Sequence, residues 1–209
     1  MKFIDLTHKL ENNIKPYPGD PDLNIEYIDS LNNNGECNLS KLTSSNHTGT
    51  HIDSPYHYFN NLDKIPDLEL ENLIGPCNIL DASPVKGNDD INVNDIKNIP
   101  ESLEKIVVLK TLWAKNFNSD KYFLNNPSLS IEFAKLLVEN DVSLIATDMS
   151  SPDFYRETKI HKYLLKNNVL IIENLCNLDL LKKDKYYGYF IPLKINSEAS
   201  LIRAFVRDI

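Results

Sequence analysis

Residues 47 to 57, HTGTHIDSPYH, put His47, His51, Asp53 and His57 into one short stretch of a chain that has only five histidines. Imidazole and carboxylate side chains together bind zinc, manganese or iron. The stretch therefore reads as a metal site, against the plainer alternative of a polar loop with solvated histidines. Three protein ligands, His47, His51 and Asp53, would leave a position open on the ion, which marks a catalytic rather than a structural centre. His57, four residues past Asp53, is then free for proton transfer, unless it is a fourth ligand or a surface histidine.

Spacing limits how these side chains can meet. In an extended strand at about 3.3 Å per residue, His51 and Asp53 lie roughly 7 Å apart and can share an ion, but His47 and His51 lie about 13 Å apart. A helical turn would bring His47 over His51 and swing Asp53 away, and β-branched Thr48, Thr50 and Ile52 disfavour it. Gly49, between the two histidines, tolerates a positive φ at least cost, so a bend or bulge is expected there. Pro55 then ends regular pairing and His57 projects beyond it.

Two further residues could complete such a site. His161 opens the helical segment KIHKYLLK, and Glu173 closes the strand-like run VLIIE; a helix-to-strand hairpin returns both to one edge of a sheet. A carboxylate directly after an apolar run needs a partner if it is buried. Tyr17, in the rigid turn KPYPGDP, is either a surface aromatic or a wall of a small-molecule pocket.

The elements that must position these residues alternate. FIDLT (3–7) reads as a short strand and LNIEYI (23–28) as a half-buried one, with a polar loop over 31–37. An apolar run precedes Asp81, and the polar segment 85–100 has room for one short helix. KIVVLKTLW (105–113) reads as a buried strand, and SIEFAKLLVEND as an amphipathic helix capped by Ser130. VSLIATD, VLIIEN, YGYFIPLKI and SLIRAFVRDI read as strands, the helix KIHKYLLKNN lying before VLIIEN. This alternation gives an α/β layered fold with a mixed sheet, and no repeat or linker divides residues 1–209, so a single domain is expected.

Composition narrows the function. Hydrophobic residues make up 42% and charged residues 25% of the 209 residues, ordinary for a globular protein. The net charge of -8 argues against nucleic-acid binding, which needs clustered Lys and Arg. Cys37, Cys77 and Cys176 are odd in number and far apart, so neither disulfides nor a thiolate zinc site is expected. The start, MKFIDLTHKLENN, carries no signal-peptide core and no apolar run reaches membrane-spanning length, so the expected location is the cytoplasm, with no membrane partner.

With these residues in hand, the chain resembles the cyclase family of metal-dependent hydrolases, which includes bacterial kynurenine formamidases and isatin hydrolases. HTGTHIDSPYH resembles that family's H-x-G-T-H-x-D-x-P-x-H motif. KPYPGDP is similar to its early Pro-Gly-Asp loop, KTLW to its Thr-and-Trp strand, SLIATDMSSPD to its Asp-rich strand end and HKYLLKNNVLIIENL to its second metal segment. The resemblance implies a swivelling β/β/α domain with a mixed sheet flanked by helices, forming homodimers or larger assemblies. It implies His47, His51 and Asp53 around one ion, with Asp53 bridging to a second ion held by His161 and Glu173, and His57 as general acid/base. One or two ions are expected, Zn²⁺ first and Mn²⁺ second. Tyr17 falls where formamidases usually carry a tryptophan in the substrate pocket, and Leu112 replaces a glycine common in its strand; both departures bear on which substrate is used.

The reaction expected is hydrolysis of a small amide, formamide or lactam, N-formylkynurenine to kynurenine and formate above all, with metal-activated water and His57 moving the proton. Two rival readings use the same residues differently. A non-haem iron oxygenase would take His51, Asp53 and His161 as its triad and leave His47 and Glu173 idle. A metal- or ligand-binding protein without turnover would keep the fold alone.

Overall fold

A computed structural model describes residues 2–209. The strands in chain order are β1 (Phe3–Asp5), β2 (Asn24–Asp29), β3 (Leu39–Thr43), β4 (His51–Asp53), β5 (Ile74–Asp81), β6 (Asp90–Ile91), β7 (Ile106–Lys110), β8 (Ser128–Leu129), β9 (Leu144–Thr147), β10 (Leu170–Glu173), β11 (Lys185–Pro192) and β12 (Ala199–Arg207). The helices are α1 (Asp120–Leu124), α2 (Ile131–Glu139) and α3 (Lys159–Lys166).

The main sheet runs β1-β12-β11-β5-β7-β9-β10-β4, and β4 returns to pair with β12, so seven of its strands close into a ring. Closure is possible because β12 is long. Its first residues, Ala199 to Leu201, pair with β4, while its last, Phe205 to Arg207, pair with β1. The pairs β5–β7, β7–β9 and β9–β10 are parallel and the remaining pairs antiparallel, which makes the sheet mixed, and the α/β class expected from the sequence holds.

Side-chain alternation along each strand separates two cores. Ile106 and Val108 of β7, Leu144 and Ala146 of β9, and Leu170 and Ile172 of β10 pack with Ile52, Ile79, Phe190, Ala204 and Val206 inside the ring. Val107, Leu109, Ile145 and Ile171 face the other way, against Phe133 and Leu137 of α2 and Leu164 of α3. Ser130 caps α2 as its position suggests, accepting the Phe133 N–H at 3.1 Å. Because Ile52 enters the ring, His51 and Asp53 must point outward, and the register Glu173↔His51 sets Glu173 beside them on that same outer face.

Some elements differ from the sequence expectation. The strand at 23–28 is present as β2, yet it pairs only with β3, which the sequence reading passed over, and Tyr27 and Ile28 stand 67% and 63% exposed. The strand predicted over 105–113 stops at Lys110, because Leu112 takes a left-handed backbone with φ 60° and turns the chain into a 3₁₀ segment at Trp113–Asn116. The short helix expected within 85–100 is one 3₁₀ turn, Val93–Asp95, and α1 was not anticipated. Among the described residues no helix is long and apolar enough to cross a membrane.

Candidate metal centre

β4 is only three residues long, yet it is fully buried between β10 and β12 and carries both His51 and Asp53. The chain enters it through a turn at Gly49, whose φ is 67°, the bend that the spacing demanded. A β-carbon at that position would lie 2.8 Å from Leu10 Cδ2. The turn folds His47 back so that its Nδ1 lies 3.1 Å from Asp53 Oδ1. Past Asp53 the chain leaves the sheet in a 3₁₀ turn, Pro55–His57, which sets the His57 ring 4.6 Å from that of His47 and 6.1 Å from that of His161. His161 and Glu173 arrive from α3 and β10, with Nε2 2.9 Å from Oε1.

Two overlapping donor groups result: His47, His51 and Asp53, and Asp53, His161 and Glu173, each with its candidate ligand atoms within 4.8 Å of one another. Asp53 belongs to both. The hydrogen bonding of these groups shows what the site is built for. His51 Nδ1 lies 2.9 Å from the Gly49 carbonyl, which can only accept, so Nδ1 carries a proton and the Nδ1–H tautomer offers its lone pair at Nε2. That lone pair faces Glu173 Oε2 at 3.3 Å and Asp53 Oδ1 at 3.5 Å, three acceptors pointing at one another. His51 Nε2 and both Asp53 oxygens are buried without a hydrogen-bond partner. Buried polar atoms are normally satisfied. A divalent cation among them satisfies all three at once, so the residues present fit a metal ion.

Asp53 and Glu173 create a strongly negative field. Burial alone would lower the basicity of His47, but the adjoining Asp53 carboxylate lifts its pKa to about 10. Burial likewise works against a charged His161, and its contacts to Asp153, Asp53 and Glu173 overcome this and raise it well above the ordinary histidine value. Asp53 in turn is held well below the usual carboxylate range: burial raises it, and His47, His161 and His51 outweigh burial. His57 goes the other way. Burial lowers its pKa and the neighbouring His47 and His161 add to that, so at neutral pH it is an uncharged base.

Three residues of the site were not singled out in the sequence. Asp153 accepts the His161 Nδ1–H at 2.7 Å, which turns Nε2 toward Asp53 and Glu173; its oxygens also accept the Ile160 and His161 N–H groups at 2.6 and 2.9 Å. It thereby caps α3 from five residues upstream of Thr158, whose own side chain makes no cap. Asn174 donates to the Gly49 carbonyl at 2.9 Å and takes the Tyr122 hydroxyl at 2.9 Å. Glu198 lies 3.4 Å from His47 Nε2. Asp148, in the same segment as Asp153, serves structure instead: it accepts Thr111 N–H and O–H at 3.0 and 2.6 Å and holds the turn after β7.

Above the donor groups a cavity of about 320 Å³ opens to solvent, lined among others by Tyr17, His57, Tyr58, Phe123 and Arg156. Tyr17 is thus in the pocket wall. Its ring meets Phe123 edge-on at 5.9 Å, and its hydroxyl accepts the Arg156 N–H at 3.2 Å.

Comparison with known proteins fits this geometry. A family model described as "Putative cyclase" matches residues 4–154. The chain belongs to the cyclase family. Over 212 aligned residues it is 32% identical to the kynurenine formamidase of Bacillus mycoides (strain KBAB4), covering 100% of this chain and 98% of that protein. Among solved structures, isatin hydrolase A from Labrenzia aggregata superposes with a TM-score of 0.86 at 22% identity, over 98% of this chain and 93% of that one. A predicted metal-dependent hydrolase from Bacillus stearothermophilus does so with a TM-score of 0.79 at 25% identity, over 98% and 97%. The cyclase-family fold of this chain is therefore the same barrel-like mixed sheet as in these hydrolases.

Proposed function

We propose that this cyclase-family chain is a metal-dependent amidohydrolase acting on non-peptide C–N bonds, and specifically an arylformamidase that converts N-formylkynurenine to kynurenine and formate. The observation that carries the reading is the pair of donor groups sharing Asp53, with buried, partnerless ligand atoms facing one another beneath an open pocket. The full-length similarity to kynurenine formamidases supports the substrate.

In this reading His47, His51 and Asp53 hold one divalent ion and Asp53, His161 and Glu173 a second, Zn²⁺ first and Mn²⁺ next, from the mixed imidazole and carboxylate donors. An ion there supplies Lewis acidity, polarising a carbonyl oxygen and lowering the pKa of water from 15.7 towards about 7. His57, uncharged and beside both groups, accepts the proton of the attacking water on its ring nitrogen as the oxygen–carbon bond forms. It returns that proton to the departing aryl nitrogen as the carbon–nitrogen bond breaks, leaving formate and the free amine. Tyr17, Tyr58 and Phe123 offer aromatic walls to an aryl substrate. The Tyr17 hydroxyl fixes the 155–157 turn that forms the rim.

The remaining features of the proposal are a single domain over residues 1–209, a cytoplasmic location and a homodimer. The pairing of β1, near residue 1, with β12, near residue 209, in one sheet supports the single domain. The β2–β3 hairpin supports the dimer. A two-stranded hairpin is marginal alone, and this one exposes Tyr27, Ile28, Leu39 and Leu42, each more than half accessible. A second copy covering it would make Ile28→Glu monomeric in analytical ultracentrifugation.

The test of function is hydrolysis of N-formylkynurenine by protein stripped with chelator and reloaded with Zn²⁺ or Mn²⁺. Activity should follow metal content. His57→Ala should keep the metal and lose about 10² to 10⁴ in kcat, the usual size of general acid/base catalysis. A metal-loaded protein that turns over neither this formamide nor a panel of aryl amides and lactams would overturn the proposal, as would full activity in His57→Ala.

A further inference from the structure

Each imidazole in the two donor groups has one nitrogen toward the others and one turned away, and the partner of the outer nitrogen decides which lone pair is offered inward. For His51 the outer partner is the Gly49 carbonyl and for His161 it is Asp153. His47 is the least buried of the three, with its side chain 20% accessible, and it sits in a turn rather than a regular element. Nothing in its own segment fixes which ring edge faces Asp53. A rotation about its Cβ–Cγ bond would exchange Nδ1 for a carbon.

We propose that Glu198 is the positioning residue for His47: its carboxylate accepts Nε2–H, holds Nδ1 toward Asp53, and so sets the affinity of the first metal position. The inference rests on the metal reading above. Glu198 Oε1 lies 3.4 Å from His47 Nε2, while Nδ1 lies 3.1 Å from Asp53 Oδ1, so the ring is gripped on opposite edges. Glu198 is itself bolted to the ligand segment at both ends. Its carbonyl accepts the Ser54 N–H at 2.9 Å and the Ser54 hydroxyl at 2.8 Å, directly after Asp53. Ser197 donates its hydroxyl to Glu198 Oε2 and receives Asn46 Nδ2 at 2.7 Å, directly before His47. The 197–198 turn thus spans the ligand segment from residue 46 to residue 54. A hydrogen-bond acceptor on the outer nitrogen of a metal-bound histidine fixes its tautomer and ring orientation, and removing that acceptor typically costs about 10- to 100-fold in metal affinity.

The experiment compares wild type with Glu198→Gln, Glu198→Asp and Glu198→Ala by Zn²⁺ competition against a chromogenic chelator, with ¹⁵N NMR of the histidine rings to read the His47 tautomer. Urea unfolding of the chelated proteins verifies that each variant folds. Glutamine keeps an acceptor oxygen in place without charge; aspartate keeps the charge and withdraws the acceptor. The expected order is Glu198→Gln close to wild type, and Glu198→Asp and Glu198→Ala weaker by about 10- to 100-fold with mixed His47 tautomers. Glu198→Asp binding like wild type, or Glu198→Gln binding as weakly as Glu198→Ala, would overturn positioning in favour of a simple charge effect or none. Should the alanine variant fail to fold, the Gln and Asp pair decides alone. A wild type with no affinity for Zn²⁺ or Mn²⁺ would instead overturn the proposed function, and the role of Glu198 with it.

Discussion

His8 should make this protein sensitive to mild acid in a way that one substitution removes. Its ring stacks on Phe117 with centroids 3.6 Å apart, its backbone N–H donates to Thr50 Oγ1 at 2.9 Å, and its Nε2 is buried without a partner. Burial lowers its pKa from 6.5 to about 4. The sign follows from proton counting: between these values the unfolded chain binds a proton that the folded protein refuses, so stability is full above pH 6.5 and is lost as the pH falls towards 4. At about 1.36 kcal/mol per pH unit the span corresponds to about 3 kcal/mol, reduced to about 2 kcal/mol by water reaching the exposed part of the ring. Urea unfolding of wild type and His8→Phe at pH 7.5 and 4.5 measures it, since carboxylates common to both proteins cancel in the difference. The phenylalanine keeps the stack and the backbone bond while removing the orphaned nitrogen. It should match or exceed wild type at pH 7.5 and gain about a further 2 kcal/mol on it at pH 4.5. A stability difference that is the same at both pH values would refute the argument.

Asp153→Asn, which halves the acceptors serving α3 and His161, should cost about 1–3 kcal/mol in urea unfolding. In metal titration it should weaken the second of two Zn²⁺ equivalents by about 10-fold or more; unchanged stoichiometry and affinity would contradict the role given to it. Gly49→Ala should cost about 1–2 kcal/mol, because alanine must take a positive φ and push Leu10 aside, and it should lower Zn²⁺ affinity measured by chelator competition. Leu112 already occupies the left-handed region, so Leu112→Val should cost about 1–2 kcal/mol in thermal unfolding, whereas Leu112→Gly should be close to neutral, the backbone relief offsetting the glycine entropy.

What was legible in the sequence follows from how local each cause is. The strands β9 and β10 and the helix α2 declare themselves through apolar runs and the Ser130 cap, because burial and capping act over a few residues. The Gly49 bend was legible for a different reason: covalent reach forbids His47 from meeting Asp53 along a straight strand. Leu112 hid the end of β7, since leucine carries no turn signature and the left-handed conformation is imposed by the Asp148 clamp on Thr111. Strand β3 (LSKLT) has no buried face, so it lacks the alternation that marks strands. Glu198 was silent because its partner lies 151 residues away in the chain, whereas Asp153, only 8 residues before His161 and at the end of SLIATDMSSPD, lay within a window but carried no cue separating a helix cap from a solvated carboxylate.

The placement of β4 bears on the order in which the protein comes into being during synthesis. The stretch that carries His47, His51 and Asp53 is made before its neighbours in the ring, β10 and β12, which follow it in the chain by more than a hundred residues. A nascent chain therefore holds the three candidate ligand side chains without their sheet neighbours until β10, Glu198 and β12 have been made. Such long-range closure is slow in folding terms. It keeps the candidate metal centre from assembling before β10 and β12 exist, and it makes loss of β12 a lesion of that centre as much as of the fold.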